Sequence, residues 1–362
     1  MFKQLMVILA KDAVPFCYYE NPYYYSAAGS EFISIKTLKS IVRSAKENGI
    51  FINYIFGKYQ LPPEYNDLIE KTDHVKIIPF CLKDIYEDGI PVLEADQRDS
   101  FGGLDYNSHR NIILRVDKNN VVGLANLFES LLGKFKRLNI HLVGSNYFTD
   151  GDFDRYEVEL REISKSLGKR YNESEEIEVN VLSDRLLLGK MNNCDAGVRH
   201  ITIAPNGKYY ICPGFYYDDE TKFVGKIGNK LDVLIKNSRL LDIASAPICS
   251  RCDAFHCKRC VYLNKNTTLE INVPSKEQCV VSHLERDTSR QLLNNLDTLE
   301  TFRKMAPIPN LIYRDPFRTL MHSDRLYTVM ADVDTYEKAT SGDLLSQIFD
   351  MQKKIFRMLE NK

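Results

Sequence analysis

The chain has no tryptophan, no low-complexity tract, no excess of either charge and no long apolar run. The missing tryptophan excludes nothing by itself, but the other absences do. A membrane-spanning helix needs about eighteen or more predominantly apolar residues, and no stretch approaches that. Lys and Arg number 48 against 49 Asp and Glu, so the net charge is -1. That balance argues against a generic nucleic-acid surface or a polybasic membrane surface, because both need concentrated positive charge. The apolar start of the chain is too short for a signal peptide, and Lys11-Asp12 follows where small residues would mark a cleavage site. Residues 5–10 are therefore expected to form the buried first strand of a cytoplasmic protein. In a reducing compartment, clustered cysteines read as metal ligands in preference to disulfides.

What is present is an ordinary folded composition, 44% hydrophobic and 27% charged over 362 residues, enough for one large domain and a smaller appendage. Short apolar runs at 5–10, 50–56, 75–80, 111–116, 140–143 and 177–182 read as strands. Amphipathic patterns at 34–48, 62–72, 121–137 and 152–167 read as the helices between them. Near-continuous apolar strands separated by helices imply parallel pairing, since parallel neighbours need a crossover. Six such units predict a partial (β/α) barrel in preference to a complete one of eight. Residues 82–110 read as irregular. Beyond residue 190 the pattern changes to short strands at 200–204 and 209–212, joined by the hairpin signal Asn206-Gly207. Helices are expected at 282–304 and 343–360, with a proline-rich break between them.

Seven of the nine cysteines fall in this second half. Their order is Cys194-x12-Gly207-x4-Cys212, then thirty-six residues, Cys249-x2-Cys252-x4-Cys257-x2-Cys260, then eighteen residues and Cys279. Two C-x2-C pairs so close together force four soft donors into a small volume, which points to zinc or iron–sulfur and away from magnesium or calcium. The four inner cysteines alone fit a zinc knuckle that staples a loop. Seven ligands are too many for one tetrahedral ion, and they suit one site of four thiolates and another of three plus a further donor.

The pattern resembles the SPASM domain, the cysteine-rich module of radical SAM enzymes that mature peptides. The order, the glycine and both flanking gaps match that family, and the two inner spacings are each one residue shorter. The resemblance implies one site at Cys194, Cys212 and Cys260, and a second at Cys249, Cys252, Cys257 and Cys279. It implies one or two iron–sulfur clusters of the [4Fe–4S] type, with zinc as the alternative. His256, beside Cys257, reads either as a substitute ligand or as a solvated neighbour.

A radical SAM enzyme also carries C-x3-C-x2-C after its first strand, where three thiolates hold the cluster that binds S-adenosylmethionine. Here Cys17 stands at the first position, but the next two are Asn21 and Tyr24. The Gly-Gly-Glu-type turn expected after the second strand is replaced by Phe56-Gly57-Lys58-Tyr59, which lacks the acid. The radical chemistry, and S-adenosylmethionine with it, is therefore not expected. Cys17 and Cys81 read either as functional thiols or as small buried hydrophobes. The run Tyr18, Tyr19, Tyr23, Tyr24, Tyr25 reads as loop packing or as the lining of a peptide groove.

The expected organisation is a degenerate radical-SAM-like partial barrel at 1–190, a SPASM-like domain at 191–285 and a helical extension at 286–362. Residues 249–289 most closely resemble the CXXX repeat peptide maturase group and related pseudo-radical-SAM proteins. That resemblance implies maturation of a ribosomally made cysteine-repeat peptide beside a companion radical SAM enzyme. The alternatives are an active enzyme with non-standard SAM-site ligands and a zinc-stapled peptide-binding scaffold.

Overall fold

Strand formation begins at the first apolar run and alternates with helices, as the periodicity requires. The computed structural model describes residues 2–26, 31–104, 110–228 and 232–296, all within one compact unit. Its elements in chain order are β1 (Gln4–Ile8), α1 (Ile35–Asn48), β2 (Phe51–Ile55), α2 (Pro63–Ile69), β3 (His74–Pro79), β4 (Ile90–Glu94) and β5 (Asn111–Val116). There follow α3 (Leu124–Leu131), β6 (Arg137–Leu142), α4 (Asp150–Asn172), β7 (Glu178–Val179) and α5 (Ser183–Leu187). The cysteine-rich half adds β8 (His200–Ile203), β9 (Lys208–Tyr210), α6 (Pro213–Asp218), β10 (Gly225–Lys226), β11 (Asp232–Val233), α7 (Val261–Thr268) and α8 (Lys276–Asn294).

The strands form one mixed sheet in the order β11-β10-β9-β8-β1-β2-β3-β4-β5-β6-β7. From β1 to β7 every neighbour is parallel and consecutive in sequence, the arrangement of a partial (β/α) barrel. β8 pairs in parallel with the free side of β1, with Gln4 opposite His200 and Val7 opposite Ile203. From there β9, β10 and β11 continue antiparallel. The Asn206-Gly207 signal does mark a hairpin: Gly207 sits at φ +72°, and the Asn206 side-chain oxygen accepts the Lys208 N–H at 3.1 Å.

Three expectations need correction. The parallel series holds one strand more than expected, because β4 lies inside the segment read as irregular. Pro91 and the lack of a helical pattern before it conceal that strand. The expected helix at 121–137 is confined to Leu124–Leu131, and β6 begins at Arg137, earlier than expected. Gly133, at φ +77°, turns the chain between them. The helix expected from residue 282 starts at Lys276, where the Ser275 hydroxyl accepts the Gln278 N–H at 3.2 Å. The expected helix at 343–360 lies outside the described residues.

Apolar residues line both faces of the sheet. On the outer face Leu38, Ile41, Val42 and Ala45 of α1, four positions on one helical stripe, pack against Leu5, Val7, Ile52 and Tyr54. On the inner face Ile8, Ile55, Ile77, Val92 and Ile113 meet Tyr210 and Tyr216. α8 lies against α4, with the Tyr156 hydroxyl donating to Glu285 at 2.8 Å and Leu292 beside Gly168. Among the described residues no helix is long and apolar enough to cross a membrane.

The start of α4 shows how its acidic first turn is used. Asp152 accepts the Thr149 backbone N–H and hydroxyl, both at 2.7 Å, and pairs with Arg155 at 2.6 Å. These hydrogen bonds hold its carboxyl at about 2, below its ordinary 3.8. The stabilisation is present above pH 3.8 and is lost as pH falls through about 2. Asp152→Asn is expected to flatten that acid limb in a pH series of denaturant midpoints.

Candidate metal centre

The seven cysteines are brought together by backbone turns, helix starts and one cross-connection. Around residues 192–194 the chain runs beside 255–258, with Asn192 N–H donating to Phe255 O at 2.7 Å and Cys194 N–H to Lys258 O at 2.8 Å. This places Cys194 against the C-x2-C pair at 257–260. Cys212 stands at the N-cap of α6 and Cys260 at the N-cap of α7. The Cys249 and Cys252 pair is folded back by a single 3-10 turn, in which Cys252 N–H donates to Cys249 O at 3.2 Å.

Backbone N–H groups are aimed at the sulfurs. Cys252 Sγ accepts from Ala254, Cys257 Sγ from Arg259 and Cys260 Sγ from Leu263, each at 3.4 Å. Arg259 takes φ +43° so that its N–H reaches Cys257. Such donors favour thiolate over thiol and tune any metal the sulfurs hold.

α8 supplies the wall for the inner group. Cys279, Ser282 and His283 fall three and four residues apart, on one face of the helix. Ser282 hydrogen-bonds Cys257, and His283 Nε2 lies 3.5 Å from Cys252 Sγ. The thiols of Cys249, Cys252 and Cys257 are electrostatic neighbours of one another, and Cys279 shares the face that touches two of them. A second set comprises Cys194, Cys212 and Cys260, again mutual neighbours. Cys194 also meets His200, whose Nε2 lies 2.9 Å from the Cys194 carbonyl oxygen and 3.6 Å from its sulfur.

Burial governs the protonation of these groups. It pushes Cys249 up to about 12 and Cys252 to about 11, with neighbouring thiols adding to the effect. Cys212, Cys257 and Cys260 are raised for the same reason. Cys194 differs: burial raises it, but the hydrogen bond and charge of His200 bring it below its ordinary value. Without a metal most of these sulfurs are neutral thiols, and a bound metal takes the place of their protons.

Buried cations fit the same sites. Arg185 is fully buried, stacked 4.3 Å from the Phe255 ring, and none of its three guanidinium nitrogens has a hydrogen-bond partner. Its electrostatic neighbours include Cys252. Arg259, 1% exposed, donates to Asn193 and Leu241 but leaves Nη1 without a partner, and it neighbours Cys249 and Cys194. Asp253 neighbours Arg185, and Asp195 and Asp242 neighbour Arg259; thiolates held by a metal would add further negative charge beside them. Among the described residues no three cysteine sulfurs lie within 4.8 Å of one another. A zinc ion at about 2.3 Å from each sulfur requires them about 3.8 Å apart.

His256 is not a solvated neighbour. It is 6% exposed, and its Nε2 meets Glu285 at 2.9 Å, the carboxylate that Tyr156 also donates to. His256 and Glu285, together with Tyr18, Gln278 and Ser282, border a small cavity beside Cys257.

The barrel mouth is closed by protein groups where a cluster motif would stand. Asn21 is fully buried; its amide donates to Lys11 O at 3.1 Å and Ala13 O at 2.7 Å, and its oxygen accepts the Tyr23 N–H at 3.0 Å. Tyr24 lies under the Lys58 ammonium, 5.0 Å from the ring centroid. Arg115, 1% exposed, pairs with Glu20 and Glu94, both at 2.5 Å, and donates to Tyr25 and to the Cys17 and Tyr19 carbonyls. The turn after β2 approaches the end of β1 so closely that a Cβ on Gly57 would stand 2.4 Å from Asp12 Oδ1. Asp12 Oδ2 accepts the Lys58 N–H at 3.4 Å, so an acid does reach this turn, from the loop after β1.

Of the tyrosine run, Tyr19 is packed on Tyr217 and Tyr18 against His141, while Tyr23 and Tyr25 are exposed. Cys81 is also exposed, against its reading as a buried hydrophobe, and Cys17 is half-buried. Sequence reasoning missed Arg115, His200, His283 and Arg185, none of which carries a spacing signal. Asn21→Ala removes the donor from two loop carbonyls and is expected to lower stability by about 1–3 kcal/mol in denaturant titration.

No protein-family model and no curated protein matches the chain. Among solved structures it is similar to native anSMEcpe with bound AdoMet and Kp18Cys peptide, at 11% identity over 80% of this chain and 98% of that one, with a TM-score of 0.52. It also aligns with Streptococcus suis SuiB bound to precursor peptide SuiA, at 14% identity, 69% and 67% coverage and a TM-score of 0.37. BtrN in complex with AdoMet and 2-DOIA aligns at 11% identity, 64% and 80% coverage and a TM-score of 0.25. The first of these carries the fold: the chain has a parallel sheet like a partial radical-SAM barrel.

Proposed function

We propose that this chain is a maturation protein for a ribosomally synthesised, cysteine-repeat precursor peptide, carrying iron–sulfur clusters and acting beside a companion radical SAM enzyme. One contrast carries the reading. The module thiols sort into two neighbouring sets with buried cations around them, whereas the barrel mouth offers Asn21 where a cluster ligand would be. Such a protein keeps the fold and the auxiliary metal module of a radical SAM maturase and gives up the site of the radical reaction.

Cys194, Cys212 and Cys260 would hold one cluster, and Cys249, Cys252, Cys257 and Cys279 the other. When bound, the clusters supply one-electron transfer and anchor the loops that ligate them. Seven soft donors in two sets suit iron–sulfur, with zinc as the alternative. A peptide occupies anSMEcpe, the structure of similar fold, which supports a peptide as the macromolecular substrate. The residues at 249–289 support the cysteine-repeat class of peptide through their resemblance to the CXXX repeat maturases.

Anaerobic purification with iron, sulfide and zinc analysis tests the reading. Two [4Fe–4S] clusters give about eight irons per chain and a brown protein. A colourless protein with zinc and no acid-labile sulfide contradicts it. Reductive cleavage of S-adenosylmethionine by the purified chain would contradict the loss of radical chemistry.

A further inference from the structure

Cys17 is the thiol that the proposed function leaves unused. Its place in the chain is that of the first ligand of a SAM-cluster motif, but its neighbours belong elsewhere. The loop that carries it is fastened toward the cysteine-rich half. Arg115 donates from Nε to Cys17 O at 3.3 Å and from Nη2 to Tyr19 O at 3.2 Å. The Tyr19 ring stacks on Tyr217, with centroids 5.6 Å apart and planes 12° from parallel. Tyr217 belongs to α6, the helix that Cys212 caps. Tyr18 meets His141 of β6 edge-on, at 5.3 Å. The two residues after Cys17 thus tie its loop to α6 on one side and to β6 on another.

The result is a set of four thiols. Cys17 is an electrostatic neighbour of Cys194, of Cys212 and of Cys260, and those three are neighbours of one another, so all six pairings occur. The set spans the barrel and the module, which is why spacing within the module counts only three.

We propose that Cys17 is the fourth ligand of the three-cysteine site, completing a four-thiolate [4Fe–4S] centre with Cys194, Cys212 and Cys260. The inference rests on the cluster reading above and deepens it. Three thiolates leave one iron of a cubane open, and Cys17 is a further soft donor in their electrostatic neighbourhood, on a loop that Tyr19 ties to α6. The rival donor is His200, whose Nε2 is engaged with the Cys194 carbonyl at 2.9 Å while its buried Nδ1 has no partner; ligation by that nitrogen would leave the iron content of Cys17→Ser unchanged. Ligation replaces the Cys17 proton with iron, and the proton leaves to solvent. Two consequences follow for the chemistry. The centre is coordinatively closed, so it passes electrons or fixes structure and does not bind substrate at iron. It also staples the barrel loop to the module through a metal, in place of the SAM cluster that would otherwise order that loop.

The test compares the full-length wild type with Cys17→Ser and Cys81→Ser, purified anaerobically, by iron and sulfide content and by EPR after reduction. Cys81→Ser should match the wild type at about eight irons. Cys17→Ser should lose iron from one centre, to between about seven and about four, or shift the EPR signal of one centre only. The unchanged signal of the other centre then reports that the chain has folded. A Cys17→Ser protein identical to wild type in iron, sulfide and EPR overturns the ligand assignment and leaves the cluster reading standing. A wild type with neither iron nor sulfide overturns both. Wild type alone gives a second reading that needs no variant: added cyanide should leave both EPR signals unchanged, and a shift of either contradicts a closed site.

Discussion

A buried guanidinium and a buried thiolate are each costly alone, and the cysteine-rich half of this chain confines both to the same interior. Arg185 has no hydrogen-bond partner for any of its guanidinium nitrogens, and Arg259 leaves one nitrogen orphaned. Around them sit thiols that burial alone keeps protonated, with backbone N–H groups already directed at three of the sulfurs. Asp253 beside Arg185, and Asp195 and Asp242 beside Arg259, already supply negative charge, and sulfurs held as thiolates by a metal would add to it. The 3-10 turn brings Cys249 and Cys252 toward those cations, and the caps at Cys212 and Cys260 fix the sulfurs of the second set.

The barrel follows the opposite course. Its strands keep the consecutive parallel order of the fold shared with anSMEcpe, and the loop after β1 still leaves from the strand end where such barrels place their chemistry. That loop is now held by its own hydrogen bonds. Asn21 closes it on Lys11 and Ala13, and Arg115 gathers Glu20, Glu94, Tyr25 and two carbonyls. On the proposed reading that loop holds without a cluster at the mouth, and Cys17 joins the module.

Much of this was legible in the residues. Apolar runs separated by amphipathic helices gave the parallel series, and Asn206-Gly207 gave the hairpin. β4 was not legible, because Pro91 and a non-helical crossover from β3 break the alternation on which periodicity depends. The seven cysteines could be grouped because their spacing is local. The partners His200, His283 and Arg185 could not, because their relation to sulfur arises from strand pairing and helix packing. His256 misled for a similar reason: proximity to Cys257 in sequence says nothing of Glu285, which reaches it from α8. Cys17 shows the same limit most clearly, since its neighbours are set by tertiary structure alone.

Anaerobic crystals of the metal-loaded protein, measured on both sides of the iron absorption edge, test the central claim most directly. The account predicts two cluster-sized iron peaks, one among Cys17, Cys194, Cys212 and Cys260 and one among Cys249, Cys252, Cys257 and Cys279, with none at the barrel mouth beside Asn21. An iron peak at that mouth, or zinc in place of iron at the cysteines, would contradict it.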